Sequence, residues 1–91
     1  MQFEWDPDKA ASNLDKHGVS FDEATSVFGD PLATTVRDWE HSLEEERFLT
    51  TGMSIQQRVV IVWHTEREET IRIVGGREAT LRERRTYESD E

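Results

Sequence analysis

Polar and aromatic positions alternate in Gln2–Trp5 (QFEW), the period-two rhythm of a short strand. The rhythm then lengthens. Asp6 and Pro7 read as the N-cap and first position of a helix, where the missing proline N–H costs nothing. That helix is expected to run to about His17 and to end at Gly18. Its apolar stripe is thin: Ala10 and Leu14, with Asn13 or His17 beside them. Ser20 and Glu23 have the spacing of a capping box, and Phe21, Ala24, Thr25 and Phe28 fall at i, i+3, i+4 and i+7. A second short helix is therefore predicted, closed by Gly29 and Pro31. Beyond Pro31 the chain becomes β-branched. LATTVRDW, RFLTTGMS, RVVIVWHT and TIRIVGG are strand candidates, with the acidic loop EHSLEEE between the first two. The unbroken VVIVW predicts a central strand covered on both faces. TIRIV alternates, with Ile71 and Ile73 on one face and Arg72 on the other. Thr80 and Glu83 repeat the capping signature, so TLRERRTYES is expected to form a short terminal helix. The order is β-α-α-β-β-β-β-α, an α+β fold with helices on an antiparallel sheet.

With 91 residues the chain is one small domain, 1–91, whose acidic end, 88–91, is expected to be mobile. Low hydrophobic content argues for disorder, but three Trp, four Phe and VVIVW argue for a core. The sequence has no cysteine, hence no disulfide framework or thiolate metal site. Its apolar runs are too short to span a membrane, and its start lacks a signal-peptide pattern. A cytoplasmic location with no membrane association is the expectation. Charge is unevenly spread. Residues 1–46 carry three basic side chains against twelve acidic ones, whereas residues 47–91 balance eight arginines with eight acids. The formal net charge of −9 therefore belongs to the first half. Five of the nine arginines crowd into residues 71–89. Such a balance speaks against a general nucleic-acid binder, and the arginine cluster is the one feature pulling the other way.

Four motifs carry a resemblance. They are W-D-x-x-K from Trp5, N-x-x-K-H-G-V-S-F from Asn13, D-x-x-H-S-x-x-E-x-R from Asp38, and I-R-I-x-x-x-R-x-A-x-x-x-E-R-x-x-Y from Ile71. In order and spacing the chain resembles the BrnT family from Phe3 to Glu88. The resemblance implies a RelE-like fold and the toxin half of a type II toxin–antitoxin pair. It implies a ribonuclease acting on cellular RNA, and a small ribbon-helix-helix antitoxin that inactivates it. It further implies that the pair represses its own operon, reaching operator DNA only through the antitoxin. A homodimer and a heterotetramer are both compatible with this. The chain departs from the family pattern in its acidity and in Gly75-Gly76, where relatives typically read S-A before the arginine. The two glycines are expected to loosen the backbone before Arg77.

Cutting RNA without a metal requires three things: a proton removed from the 2′-hydroxyl, charge stabilised on the phosphate, and a proton given to the leaving 5′-oxygen. Arginine suits the second task, because its planar fork meets two phosphate oxygens. Arg72 and Arg77 are therefore the expected phosphate clamps, with Arg84 converging on the same sheet edge to bind RNA. For proton transfer the candidates are His17, with Lys16 beside it, then Tyr87 and Glu83. Each has an ordinary structural alternative: a helix C-cap for His17, packing for Tyr87, the capping box for Glu83. Arg82 and Arg85 are read as solubilising a helix face. His41 with Glu40, Glu44 and Glu45 lacks the converging ligands of a metal site and is read as a solvated turn. His64 is read as a core histidine. No metal or other cofactor is implied. Trp39, in the acidic loop with Glu44 and Glu45, is the candidate partner surface.

Two functions remain in competition on these residues. One is a metal-independent endoribonuclease that inhibits translation. The other is a degenerate toxin that only binds its antitoxin and tunes repression. An acidic first half suits an electropositive partner in either case.

Overall fold

The computed structural model describes residues 1–42 and 45–89. Glu44 and the last two residues of the acidic tail lie outside the described residues. A five-stranded sheet in the order β1-β5-β4-β3-β2 is built from Gln2–Glu4 (β1), Thr34–Arg37 (β2), Arg47–Met53 (β3), Val59–Arg67 (β4) and Thr70–Glu78 (β5). The helices are Pro7–His17 (α1), Phe21–Ser26 (α2) and Leu81–Glu88 (α3). The elements follow the expected order, with two additions. A 3₁₀ turn, Val27–Gly29, extends α2, and another, Trp39–His41, lies within the acidic loop. The sheet is mixed rather than antiparallel, because β1 runs parallel to β5. That pairing follows from chain direction: β1 is placed at the sheet edge, beside the last strand in sequence.

Local signals act as the residues suggest. Asp6 accepts the Asp8 N–H, Pro7 opens α1, and Gly18 ends it at φ 71°, a left-handed conformation that glycine adopts without a Cβ penalty. Ser20 caps α2 through the Glu23 N–H, but the box is only half formed. The Glu23 carboxylate turns inward, accepts from Arg58 Nε and Nη2 at 2.7 Å each and from Ser54 Oγ at 2.7 Å, and is only 1 % exposed. The Arg58 hydrogen bonds outweigh burial and hold this carboxyl below its ordinary pKa. Here charge is used to join α2 to the β3–β4 hairpin.

α1 and α2 cover one face of the sheet. Val19, Phe21, Ala24 and Val27 pack against Val60, Val62, Ile71 and Ile73, each buried aliphatic side chain contributing about 1.5–3 kcal/mol. α1 docks differently from its apolar pattern. Leu14 is half exposed, and Asn13 is buried in its place. The Asn13 amide donates to the carbonyls of Val19 and Gly76 at 2.9 Å, and its Oδ1 accepts the Gly76 N–H at 3.2 Å. β1 pairs with β5 only along Thr70–Arg72, so Asn13 satisfies the edge of β5 where no strand continues.

The pairing of β4 with β5 contains a bulge. Trp63 faces Gly75 while His64 faces Ile73, which leaves Val74 unpaired. Arg72 and Arg77 are five positions apart, and strict alternation would send them to opposite faces. The extra residue reverses that parity. Arg72 pairs with Thr65 and Arg77 with Ile61, both on the face away from α1 and α2.

Candidate active site

The face left bare by α1 and α2 forms the floor of a cleft of about 490 Å³. Thr34 and Val36 come from β2, Leu49 and Thr51 from β3, Ile61 and Trp63 from β4, and Arg77 from β5. The roof is α3, which presents Arg82, Glu83, Thr86 and Tyr87. These four share one helical face because their spacing is i, i+1, i+4 and i+5. α3 forms since Thr80 and Glu83 make a complete capping box, each side chain bonding the other's backbone N–H. The box also aims the Glu83 carboxylate at Arg77.

Arg77 and Glu83 meet fork to fork. Nη1 donates to Oε1 at 2.8 Å and Nη2 to Oε2 at 2.9 Å, and Nη1 also reaches the Glu78 carbonyl at 3.3 Å. Hydrogen bonds from Arg77, aided by the Thr80 N–H, hold the Glu83 carboxyl at a pKa of about 2, against its desolvation. The same pair raises the pKa of Arg77. Glu83 is thus a weak base, fixed as an anion, and its position serves to orient Arg77. No hydrogen bond among the described residues uses Arg77 Nε–H. Nε–H and the second Nη2 hydrogen together form the edge of a guanidinium suited to a second oxyanion.

Across the cleft, the Tyr87 hydroxyl donates to Asp30 Oδ2. This bond, with burial, pushes the phenol up to about 12. Burial raises the Asp30 carboxyl, but hydrogen bonds from Met53 N–H, Tyr87 and Leu32 N–H together leave it below its ordinary value. The Trp63 indole lies flat against Gly75 and meets the His17 ring edge-on at a centroid distance of 6.1 Å.

The structure separates several of the expected partners. Arg72 shares a face with Arg77 but not the cleft. The two lie roughly 15 Å apart along β5, at about 3.3 Å per residue, and Arg72 Nη1 pairs with Glu4 at 3.1 Å. Arg84 leaves the cleft because the helical turn directs it toward Glu88, with Nε 3.4 Å from Oε2. Lys16 is exposed on α1, while His17 borders the site only through Trp63. Glu83, Tyr87 and Arg77 are brought together. Arg82, read from sequence as a solubilising residue, lines the cleft, and so does Trp63. The helical spacing of Arg82 to Tyr87 and Glu83 carried that information. Trp39 is 73 % exposed, with the Arg37 guanidinium 4.0 Å above its ring, and Glu45 pairs with Arg67. His64 is fully buried as expected, donating to or accepting from Thr50 Oγ1 at 2.8 Å. Among the described residues, no group of three or more His, Asp or Glu side chains is placed to hold a metal.

A sequence model described as "Ribonuclease toxin, BrnT, of type II toxin-antitoxin system" matches residues 5–83. The chain belongs to the BrnT family. Its fold agrees with the crystal structure of the Brucella abortus ribonuclease toxin, BrnT, at a TM-score of 0.70 and 19 % identity. The match covers 89 % of this chain and 99 % of that one. No curated protein matches the chain. BrnT membership identifies a ribonuclease toxin of a type II toxin–antitoxin system, whose partner is a protein antitoxin. No helix among the described residues is long and apolar enough to cross a membrane.

Proposed function

We propose that this BrnT-family chain is a metal-independent endoribonuclease that binds RNA in the cleft beneath α3. The observation that carries the reading is Arg77, which lines the cleft, is gripped by Glu83 through both Nη groups, and has no hydrogen bond to its Nε–H among the described residues. A preorganised cation of this kind stabilises charge on a phosphate without reorganising during the reaction. Arg82 adds a second cation at the rim, and the faces of Trp63 and Tyr87 offer stacking surfaces for bases. His17, next to Trp63, is the titratable group best placed to exchange a proton with RNA lying across the indole. Attack by the 2′-hydroxyl leaves a 2′,3′-cyclic phosphate on one fragment and a free 5′-hydroxyl on the other. Translation stops as messages are cut.

In the same proposal, a small ribbon-helix-helix antitoxin neutralises the toxin in the cytoplasm, and the pair represses its operon. Exposed Trp39, with Arg37 over its ring, is the surface offered to that partner, in the same acidic loop as Glu45. The acidic first half would speed the encounter with a basic DNA-binding protein.

The test incubates purified protein with single-stranded RNA in EDTA and resolves the fragment ends. Cyclic-phosphate products in EDTA are expected. Arg77→Lys, which keeps charge and loses the fork, should reduce kcat/KM roughly 10²–10³-fold. Arg72→Ala should stay within a few-fold of wild type, because its guanidinium serves Glu4 outside the cleft. Cleavage only on addition of a divalent metal would overturn metal independence. A wild-type chain that neither cuts RNA nor arrests growth would favour the binding-module reading, which the pairing of Arg77 with Glu83 also fits.

A further inference from the structure

α3 lies over the cleft without burying a single side chain, and Leu81 on it is 58 % exposed. Apolar burial therefore does not fix the height or tilt of this roof. Two polar clasps do, one helical turn apart. Glu83 grips Arg77 at the amino end, and Tyr87 reaches Asp30 at the carboxyl end.

The second clasp rests on an unusually firm base. Asp30 follows the 3₁₀ turn Val27–Gly29, and its Oδ1 accepts the Leu32 N–H at 2.9 Å. Its Oδ2 accepts the Met53 N–H at 2.7 Å, which ties the turn to the end of β3. Close approach is possible because residue 52 is glycine. A Cβ there would lie 2.9 Å from Ala33 Cβ, 2.9 Å from Val27 Cγ1 and 3.2 Å from Asp30 Oδ2. The carboxylate is thus held by backbone on two sides and presents its remaining capacity to the Tyr87 hydroxyl. An O–H donor on an ionised carboxylate is among the stronger neutral–charged hydrogen bonds.

We infer that Asp30 is a positioning residue for the ribonuclease site: through Tyr87 it sets α3, and with it Arg82 and Thr86, at a working height above the sheet. The inference rests on the ribonuclease reading of the cleft. Asp30 itself does not line the cleft and acts on RNA only through the helix. Loss of the clasp leaves α3 held at Glu83 alone, so its carboxyl half drifts. A misplacement of the order of 1 Å at a site of this kind costs up to about 10²-fold in rate.

The experiment compares wild type, Tyr87→Phe, Asp30→Asn and the double variant. Each is followed by kcat/KM on a short single-stranded RNA and by amide hydrogen exchange of residues 84–88. Tyr87→Phe removes one hydroxyl and leaves the Met53 and Leu32 bonds of Asp30 intact. Its kcat/KM should fall roughly 10–100-fold, exchange should quicken in the second half of α3, and exchange in β3–β5 should not change. Asp30→Asn also places an NH2 group opposite the Leu32 or the Met53 N–H, so it should cost at least as much as Tyr87→Phe. The double variant should be less damaged than the sum of the two, because the Tyr87 clasp can be lost only once. If Asp30→Asn fails to fold, Tyr87→Phe decides the matter by itself. Lost activity with unaltered α3 exchange would mean that Tyr87 acts on RNA directly, and Asp30 positions nothing. Quickened exchange with full activity would equally overturn the inference. A wild-type chain that cuts no RNA would remove the underlying ribonuclease reading, a result distinct from unaltered exchange, which removes the clasp.

Discussion

Gly75→Ala adds one methyl group, and the structure states what that methyl would meet. A Cβ at residue 75 would lie 2.3 Å from Trp63 Cε2 and 2.4 Å from both Cζ2 and Nε1. Carbon pairs ordinarily rest at about 3.5–4.0 Å, so the overlap exceeds 1 Å against a rigid ring. The indole must lift, losing its edge contact with His17 and altering the cleft floor. Overpacking of this size costs about 1–3 kcal/mol, which in a domain of this length lowers Tm by roughly 5–20 °C. Glycine is not needed here for its backbone, since its φ is outside the left-handed region. In a Trp63→Ala background, then, the sign should reverse. With the ring gone, Gly75→Ala should stabilise by about 0.4–1 kcal/mol through the unfolded chain. Gly76→Ala is the internal control, because its Cβ would meet Val19, Ala24 and Ile61 only at 3.6–3.7 Å, an ordinary contact. Chemical denaturation of the four Gly75/Trp63 combinations measures the cycle. Equal destabilisation with and without the indole would refute the reasoning and return Gly75 to a backbone role.

Three further outcomes follow from side chains that hold the sheet. Asn13→Ala leaves the Gly76 N–H and C=O and the Val19 C=O without their partners, and should cost about 2–4 kcal/mol in a denaturant titration. Arg58→Ala strands the buried Glu23 carboxylate and should cost about 3–5 kcal/mol, with much of the loss recovered in Arg58→Ala/Glu23→Gln. His64 is driven down to a pKa of about 4 by burial, and Glu66, 3.6 Å from Nδ1 but nearly half exposed, does not offset this. The unfolded chain takes up a proton near 6.5 and the native one does not, so stability is full above that pH. It should fall by about 3 kcal/mol as pH drops from 6.5 to 4, a slope that His64→Gln should flatten in thermal melts.

Caps and periodicity were legible because they are local. Pro7, Gly18, Thr80 and Glu83 announce their elements by residue type alone, and VVIVW is central because few other positions can bury four apolar residues, Val59 to Val62, in succession. Three features were not legible, and each depends on a contact distant in sequence. The parallel pairing of β1 requires knowing that β5 has a free edge. The inward turn of Glu23 requires Arg58, thirty-five residues away. The burial of Asn13 in place of Leu14 requires the unpaired Gly76. In the last two cases a polar side chain went inside because the backbone or a charge there needed it, and apolar periodicity carries no trace of such a need.

The bulge at Val74 has the largest consequence for the site. Without it Arg77 would face α1 and α2, and its charge would be buried in the core rather than open to the cleft. One unpaired residue therefore converts an alternating strand into one that turns apolar residues, Ile71 and Ile73, toward the helices and both arginines the other way. The same bulge opposes Gly75 to Trp63, which lets the indole lie flat on the strand and form the floor beside Arg77. It also bears on the proposed phosphate site, which has to work within a molecule of net charge −9. Arg72, Arg84 and Arg58 are neutralised by Glu4, Glu88 and Glu23 for structural ends. Arg77 is paired too, by an anion that takes both Nη groups but makes no hydrogen bond to Nε–H. In the proposed site local geometry, not overall charge, leaves that Nε–H for an oxyanion, and the resulting binding should weaken only shallowly with salt, because the slope scales with the number of phosphates neutralised and here that number is small.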